Sequence, residues 1–274
     1  MAFQLHVSGL NLLARCGERF RRRYIDGEKT PPSVSMAAGT AVDAGVTYDL
    51  TTKILTGALA PDDAVLDCAR DAAASEWERG VVLNQEDAED GLKGSKDELI
   101  DAAVSLAGLH HQKLAPVLQP TRVQRPWVLD ITGLPGTALQ LAGTIDIQEG
   151  TRAIRDTKTS AKSPNGDTAD ISLQLTTYAL AMERFEGTIP AMVGLDYLVR
   201  TPTRKQLKVV SLESTRTVGD FDHLLERVAH ASLIIQSGIF TPAPLESWWC
   251  SAKHCPYHPT CRFARRPIVV AAKG

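Results

Sequence analysis

No apolar run in this 274-residue chain reaches the ~20 residues that a membrane-spanning helix requires. Residues 1–27 lack a basic region ahead of a hydrophobic stretch and a small-residue cleavage site. No signal peptide is therefore expected, and the cytoplasm is the expected location. Charge of one sign is also missing: the net charge is −2 and the pI near 6.4. That excludes coating of nucleic acid through bulk charge but leaves room for a local basic groove. Internal repeats and low-complexity linkers are absent. The five cysteines are an odd number, which argues against a disulfide framework in a cytosolic chain.

What remains is an ordinary globular composition, 43% hydrophobic and 23% charged, in a chain long enough to bury a full core. The spacing of Leu12, Leu13, Phe20 and Tyr24 predicts a helix over 12–24 with one buried stripe. Pro31 and Pro32 end it. A second helix is expected over 33–57, where Gly39 and Gly45 suggest close packing. Pro61-Asp62-Asp63 starts a third, running to about Arg79. Residues 84–95 read as a loop and 96–117 as a helix. The pattern then changes to strands at 122–130, 137–148 and 152–158, a helix at 170–186, strands at 191–200 and 205–212, and a helix at 218–237. The order gives a mixed α/β core with a helical N-terminal cap.

Within the strands lie Asp146 and Asp156-Thr157-Lys158. Residues two apart in a strand share a face, so Asp156 and Lys158 point the same way. Carboxylates are hard oxygen ligands suited to Mg²⁺ or Mn²⁺, and a lysine can orient water and offset developing charge. The hairpin sets a condition. Asp146 lies opposite Asp156 only if the turn is centred on Thr151 with an odd-length loop, or if a bulge restores parity. A lone D-x-K is weak, since exposed strands carry such residues routinely.

Further segments complete an ordered series: Gly39-Thr40-Ala41-Val42-Asp43, Gly143-Thr144-Ile145-Asp146, Asp156-Thr157-Lys158-Thr159, Gln174-Leu175-Thr176-Thr177-Tyr178, and Cys16 with Cys250, Cys255 and Cys261. Over nearly its whole length the chain thereby resembles the RecB-like branch of the PD-(D/E)XK nucleases. That branch includes CRISPR-associated RecB-like exonucleases and phage recombination exonucleases. The resemblance implies a restriction-endonuclease-like mixed central sheet flanked by helices, in a single domain over 1–274. Within it, 1–120 form a mainly helical cap, 121–238 the nuclease core, and 239–274 a cysteine segment joined to Cys16. It implies a divalent-metal-dependent DNA exonuclease acting on single strands or ends. The expected setting is recombination or CRISPR-type DNA processing, with a protein partner from that pathway and in the host cytoplasm if phage-encoded. Asp146, Asp156 and Lys158 would carry the chemistry, with Gln174 and Tyr178 beside them. The family's usual histidine is Asp43 here, which as an oxygen donor would make a harder metal site. A non-catalytic DNA-binding scaffold is the alternative reading.

By the same resemblance the four cysteines imply a [4Fe–4S] cluster clasping the chain ends. Zinc is the alternative, because His254 and His258 lie within the C-terminal triad. Four residues separate Cys250 from Cys255, where many relatives have two. Cys68 is expected in the core, and Trp248 and Trp249 are expected to pack around the cluster, with stacking on DNA bases as the alternative. Arg15, Arg19 and Arg21 to Arg23 form one basic stretch, and Arg262, Arg265 and Arg266 another. Taken alone, such runs read as solvated helix faces. Joined through the cysteines they would form one DNA-facing patch.

Overall fold

The computed structural model describes residues 3–84, 87–88, 94–134, 136–201 and 206–264. Arg265 and Arg266, most of the expected 84–95 loop and the first residue of the expected 205–212 strand lie outside them. No helix among the described residues is long and apolar enough to cross a membrane.

A short strand β1 (Phe3–Leu5) leads into α1 (Val7–Arg15). The helix expected over 12–24 is interrupted at Cys16, whose backbone is extended (φ −161°, ψ 103°). The chain restarts as α2 (Gly17–Phe20) and one π-helical segment (Arg21–Ile25). The Cys16 thiol caps the restart by accepting the Arg19 N–H at 3.4 Å. Then come α3 (Val34–Thr56), α4 (Asp62–Arg79) and α5 (Lys96–Lys113). Ser33 and Ser95 cap the first and last of these through their hydroxyls, and Gly57 ends α3 in the left-handed conformation. The close packing suggested by Gly45 is present: a Cβ there would meet the Ala69 and Ala107 methyls at 3.3 Å.

Strands β2 (Arg122–Asp130), β3 (Leu139–Glu149) and β4 (Ala153–Ser160) follow. Helix α6 (Leu173–Glu186) crosses to β5 (Met192–Arg200), which turns into β6 (Leu207–Ser214) before α7 (Val218–Ser237). The sheet runs β1-β3-β4-β5-β6, with β2 on the other edge of β3. Pro126 is tolerated because β2 is itself an edge strand. β4 and β5 are parallel, as a helical crossover demands, while β3–β4 and β5–β6 are antiparallel. This mixed sheet flanked by helices is the restriction-endonuclease-like architecture expected. One face packs α1, α2, α6 and α7 around Leu141, Ile154 and Val193. The other packs α3 and α5 against Ile147 and Leu198.

Two strands share one edge of β3. β1 pairs with Leu139 to Leu141 and β4 with Ile147 to Glu149, leaving 142–146 without a partner on that side among the described residues. Nearby, Gly143 lies opposite Trp127, and a Cβ there would sit 2.6 Å from the indole ring. Gly143→Ala is therefore expected to lower stability by about 2 kcal/mol through forced displacement of Trp127. Thermal denaturation checks it, and an unchanged midpoint would contradict the packing.

Candidate active site

The β3–β4 turn is the three-residue loop 150–152, with Glu149 opposite Ala153. Its centre is Thr151, as the hairpin condition required, and the same register places Asp146 across from Asp156 just where the ladder stops. β3 also turns over at this point. Ile145 packs in the α6–α7 layer, yet Ile147 packs against α3 and α5. Regular alternation would put both on one face. Across from Asp146, Gln124 on β2 adopts φ 48°, a left-handed backbone that a non-glycine residue rarely takes. The β2–β3 ladder skips this pair while registering Val123 with Ile147 and Arg125 with Ile145.

Asp156 is fully buried. One carboxylate oxygen lies 2.6 Å from Lys158 Nζ, and the other accepts the Tyr178 hydroxyl at 3.5 Å. Lys158 Nζ also donates to Gln174 Oε1 at 2.9 Å, and Gln174 Nε2 donates to the Tyr178 hydroxyl oxygen at 2.6 Å. The four side chains close a ring. Helix geometry supplies half of it, because Gln174 and Tyr178 are one turn apart on α6. The strand period supplies the other half. Asp43, on α3, accepts Gln124 Nε2 at 2.8 Å. Gly39, one turn earlier, lets the helix approach: a Cβ would lie 3.3 Å from Thr159 Oγ1. Asp43 and Lys158 face a groove between α3 and the end of β4.

Three carboxylates in a partly dry site resist sharing charge. Burial, then the Asp156 and Asp43 charges, hold Asp146 well above the usual carboxylate range. Burial and Asp156 push Asp43 up to about 6, against the opposing pull of Gln124 and Lys158. Burial alone would draw Lys158 toward neutrality, but Asp156 and Asp146 reverse this and raise it above the ordinary lysine value. Burial and the same aspartates raise Tyr178, so it remains a neutral donor.

Among the described residues no group of three or more His, Cys, Asp or Glu side chains is arranged to hold a metal ion. The donor set nonetheless fits a hard divalent cation in type and charge. Asp43, Asp146 and Asp156 interact electrostatically, and the Asp156 oxygen beside Lys158 is buried without an aligned hydrogen bond.

The second cluster is separate. Cys16, Cys250, Cys255 and Cys261 line one pocket with Trp249 and His258. Protein contacts draw the two chain segments together. Gly17 N donates to Thr241 O at 2.7 Å, Arg19 to His254 O at 3.2 Å, Arg22 to Thr260 Oγ1 at 2.9 Å and Tyr257 to Glu28 O at 2.6 Å. Trp249 Nε1 donates to Arg15 O at 3.3 Å. Trp248 departs from expectation: its ring stands edge-on to Trp249 and His254 and remains 64% exposed. Cys68 is half-buried, with Sγ 3.6 Å from Ala44 O.

Gln124 was invisible to sequence reasoning. Nothing in Val123-Gln124-Arg125-Pro126 marks it, because its importance arises only where β2 twists beside Asp146.

The sequence matches the PD-(D/E)XK nuclease superfamily over residues 4–262. A presumed exonuclease from Eubacterium rectale, known from a crystal structure, superposes with a TM-score of 0.54. The alignment covers 97% of this chain and 90% of that one at 13% identity, a likeness of fold. A second structure, SSO0001, covers 93% of this chain and 96% of its own at 13% identity with a TM-score of 0.35, too low to carry an argument. No curated protein gives a significant match.

Proposed function

Because the chain belongs to the PD-(D/E)XK nuclease superfamily, we propose that it is a divalent-metal-dependent DNA exonuclease acting on single strands or ends. One observation carries the proposal: the closed ring of Asp156, Lys158, Gln174 and Tyr178, with Asp146 across the hairpin. Asp146 and Asp156 would hold Mg²⁺ or Mn²⁺, with Asp43 beside them. The chemistry such an ion supplies when bound is polarisation of the scissile phosphate and a lowered pKa for water. Lys158, kept cationic, orients the attacking water and offsets charge gathering on the phosphate oxygens. Gln174 fixes the ammonium from the far side. Tyr178 donates to Asp156 and so holds the carboxylate plane.

The four cysteines would hold a [4Fe–4S] cluster as a clasp between the chain ends. Four thiols on one pocket suit either this cluster or a tetrahedral zinc, for which His258 on the same pocket is a further ligand, and it is the family resemblance that favours the cluster. Iron and acid-labile sulfide analysis of anaerobically purified protein tests this, and zinc without sulfide would remove the cluster. We place the protein in the cytoplasm, in recombination or CRISPR-type DNA processing beside a partner protein.

An end-labelled DNA assay with Mg²⁺, Mn²⁺ and chelator tests the activity. Metal-dependent release of mononucleotides or short oligonucleotides from an end is expected. Cleavage only at internal positions would replace the exonuclease reading with an endonuclease. No cleavage under any condition would leave a DNA-binding scaffold, the reading that Asp43 in the histidine position favours.

A further inference from the structure

The groove holding Asp43 and Lys158 does not end at α3. At Pro32 and Met36 it meets a second groove that runs to the cysteine segment, past Arg19, Arg23, Lys253 and His254. The charge along this path is one-sided over its far half. The half that runs to the cysteine segment is lined by Arg19, Arg23 and Lys253 with no carboxylate among its described lining residues, whereas at the reacting end Lys158 stands paired with Asp156 and beside Asp43. That bias is local, because the whole chain has a net charge of −2. Between the cations lie exposed apolar side chains, Met36, Val82 and Leu83. Beyond His254 stands Trp248, its ring centroid 4.6 Å from the imidazole and most of its surface open. An indole so exposed does nothing for the core, whereas its neighbour Trp249 lines the thiol pocket.

We infer that this path is a binding track for one unpaired nucleic-acid strand, with Trp248 as a base-stacking platform remote from the hydrolytic centre. Cations spaced along a groove follow a phosphate backbone, and an open aromatic face stacks any base once it is unpaired. A duplex hides its base faces, so Trp248 selects a single strand. The track rests on the nuclease reading, as it delivers the strand to Lys158. It also gives the cysteine segment a second role. That segment supplies Trp248, Lys253 and His254, so a clasp that opens loses the far half of the track.

Binding of oligo(dT) to the full-length protein in EDTA, read by tryptophan fluorescence quenching, tests the track without any hydrolysis. Trp248→Ala is expected to weaken binding about tenfold, monitored by anisotropy of a labelled strand once the reporter indole is gone. Arg23→Ser is expected to lower the slope of log affinity against log salt by roughly 0.7, one phosphate contact on a single strand. Both side chains are exposed, and equal melting temperatures would confirm intact folding. Should Trp248→Ala disturb the fold, Arg23→Ser carries the test alone. Parent-like affinity and salt slope in both variants would overturn the track. So would equal competition by polyglutamate, which would mark the groove as a site for acidic polypeptide, or tighter binding of a blunt duplex. Failure of the nuclease reading shows separately, as absent cleavage despite intact, Trp248-dependent binding.

Discussion

Lys158→Ala lowers the turnover of metal-dependent DNA cleavage by ~100-fold or more, while oligonucleotide affinity changes little. The magnitude follows from what a pre-placed charge contributes in a partly dry site, typically two to three powers of ten per donor lost. The expected split, with turnover lost and binding kept, follows from position. Lys158 touches Asp156 and Gln174 at the reacting end of the groove, and the other cations lie farther along it. Gln174→Ala gives a smaller loss, about tenfold, because Lys158 keeps its contact with Asp156 and loses only its second anchor. This ordering is the diagnostic part. A loss for Gln174→Ala as large as for Lys158→Ala would mean that the amide itself acts on the substrate, and retention of activity in Lys158→Ala would remove the hydrolytic assignment. Lys158→Ala also strips a buried carboxylate of its ion pair, so assays belong well below the variant's melting temperature.

Without metal the same site works against the fold, and the sign is definite. The Asp43 carboxyl is raised from 3.8 to about 6 in the folded chain. A raised folded value means that its contribution is fully present below pH 4 and is lost as pH climbs through 6. A shift of this size amounts to about 3 kcal/mol, and the raised Asp146 extends the loss to higher pH. The metal-free protein is thus expected to lose stability between pH 4 and neutrality. Mn²⁺, binding the ionised carboxylates, restores it. Calorimetry in EDTA and in Mn²⁺ at pH 5 and pH 7.5 reads this directly, and the Mn²⁺ shift is larger at the higher pH. Asp146→Asn raises the melting temperature of the metal-free protein at pH 7.5 and abolishes the Mn²⁺ shift. A variant less stable than the parent, or still stabilised by Mn²⁺, would show that these carboxylates are not the ion's ligands.

The core strands and helices were readable because period-two and period-3.6 patterns alternate cleanly there, with glycine and proline marking the joints. Strand β2 and helix α7 start and stop where sequence spacing places them. The hairpin parity was readable too, since it depends only on counting between Asp146 and Asp156. Long-range pairing was not. β1 is three residues long and is a strand only because Leu139 to Leu141 lie beside it. The break at Cys16 was hidden by a helical pattern running through it. It follows from Gly17 pressing against the backbone of Thr241, where a Cβ would come within 2.7 Å of the carbonyl oxygen. Trp248 and Trp249 are indistinguishable as letters, and only the chain path decides which faces the thiols.

The shared edge of β3 gives the centre mechanical freedom that an intact ladder would deny. Asp146 and Asp156 ride on two arms of a fork, and among the described residues the ladder that joins the arms stops one pair short of them, at Ile147 with Arg155. Each arm is held from its outer side alone, β3 by β2 and β4 by β5, so the gap between the carboxylates widens or narrows only as the two outer ladders twist against each other. The aperture would therefore adapt to ions of different radius through a shared twist of the sheet rather than through breaking a main-chain bond between the two arms.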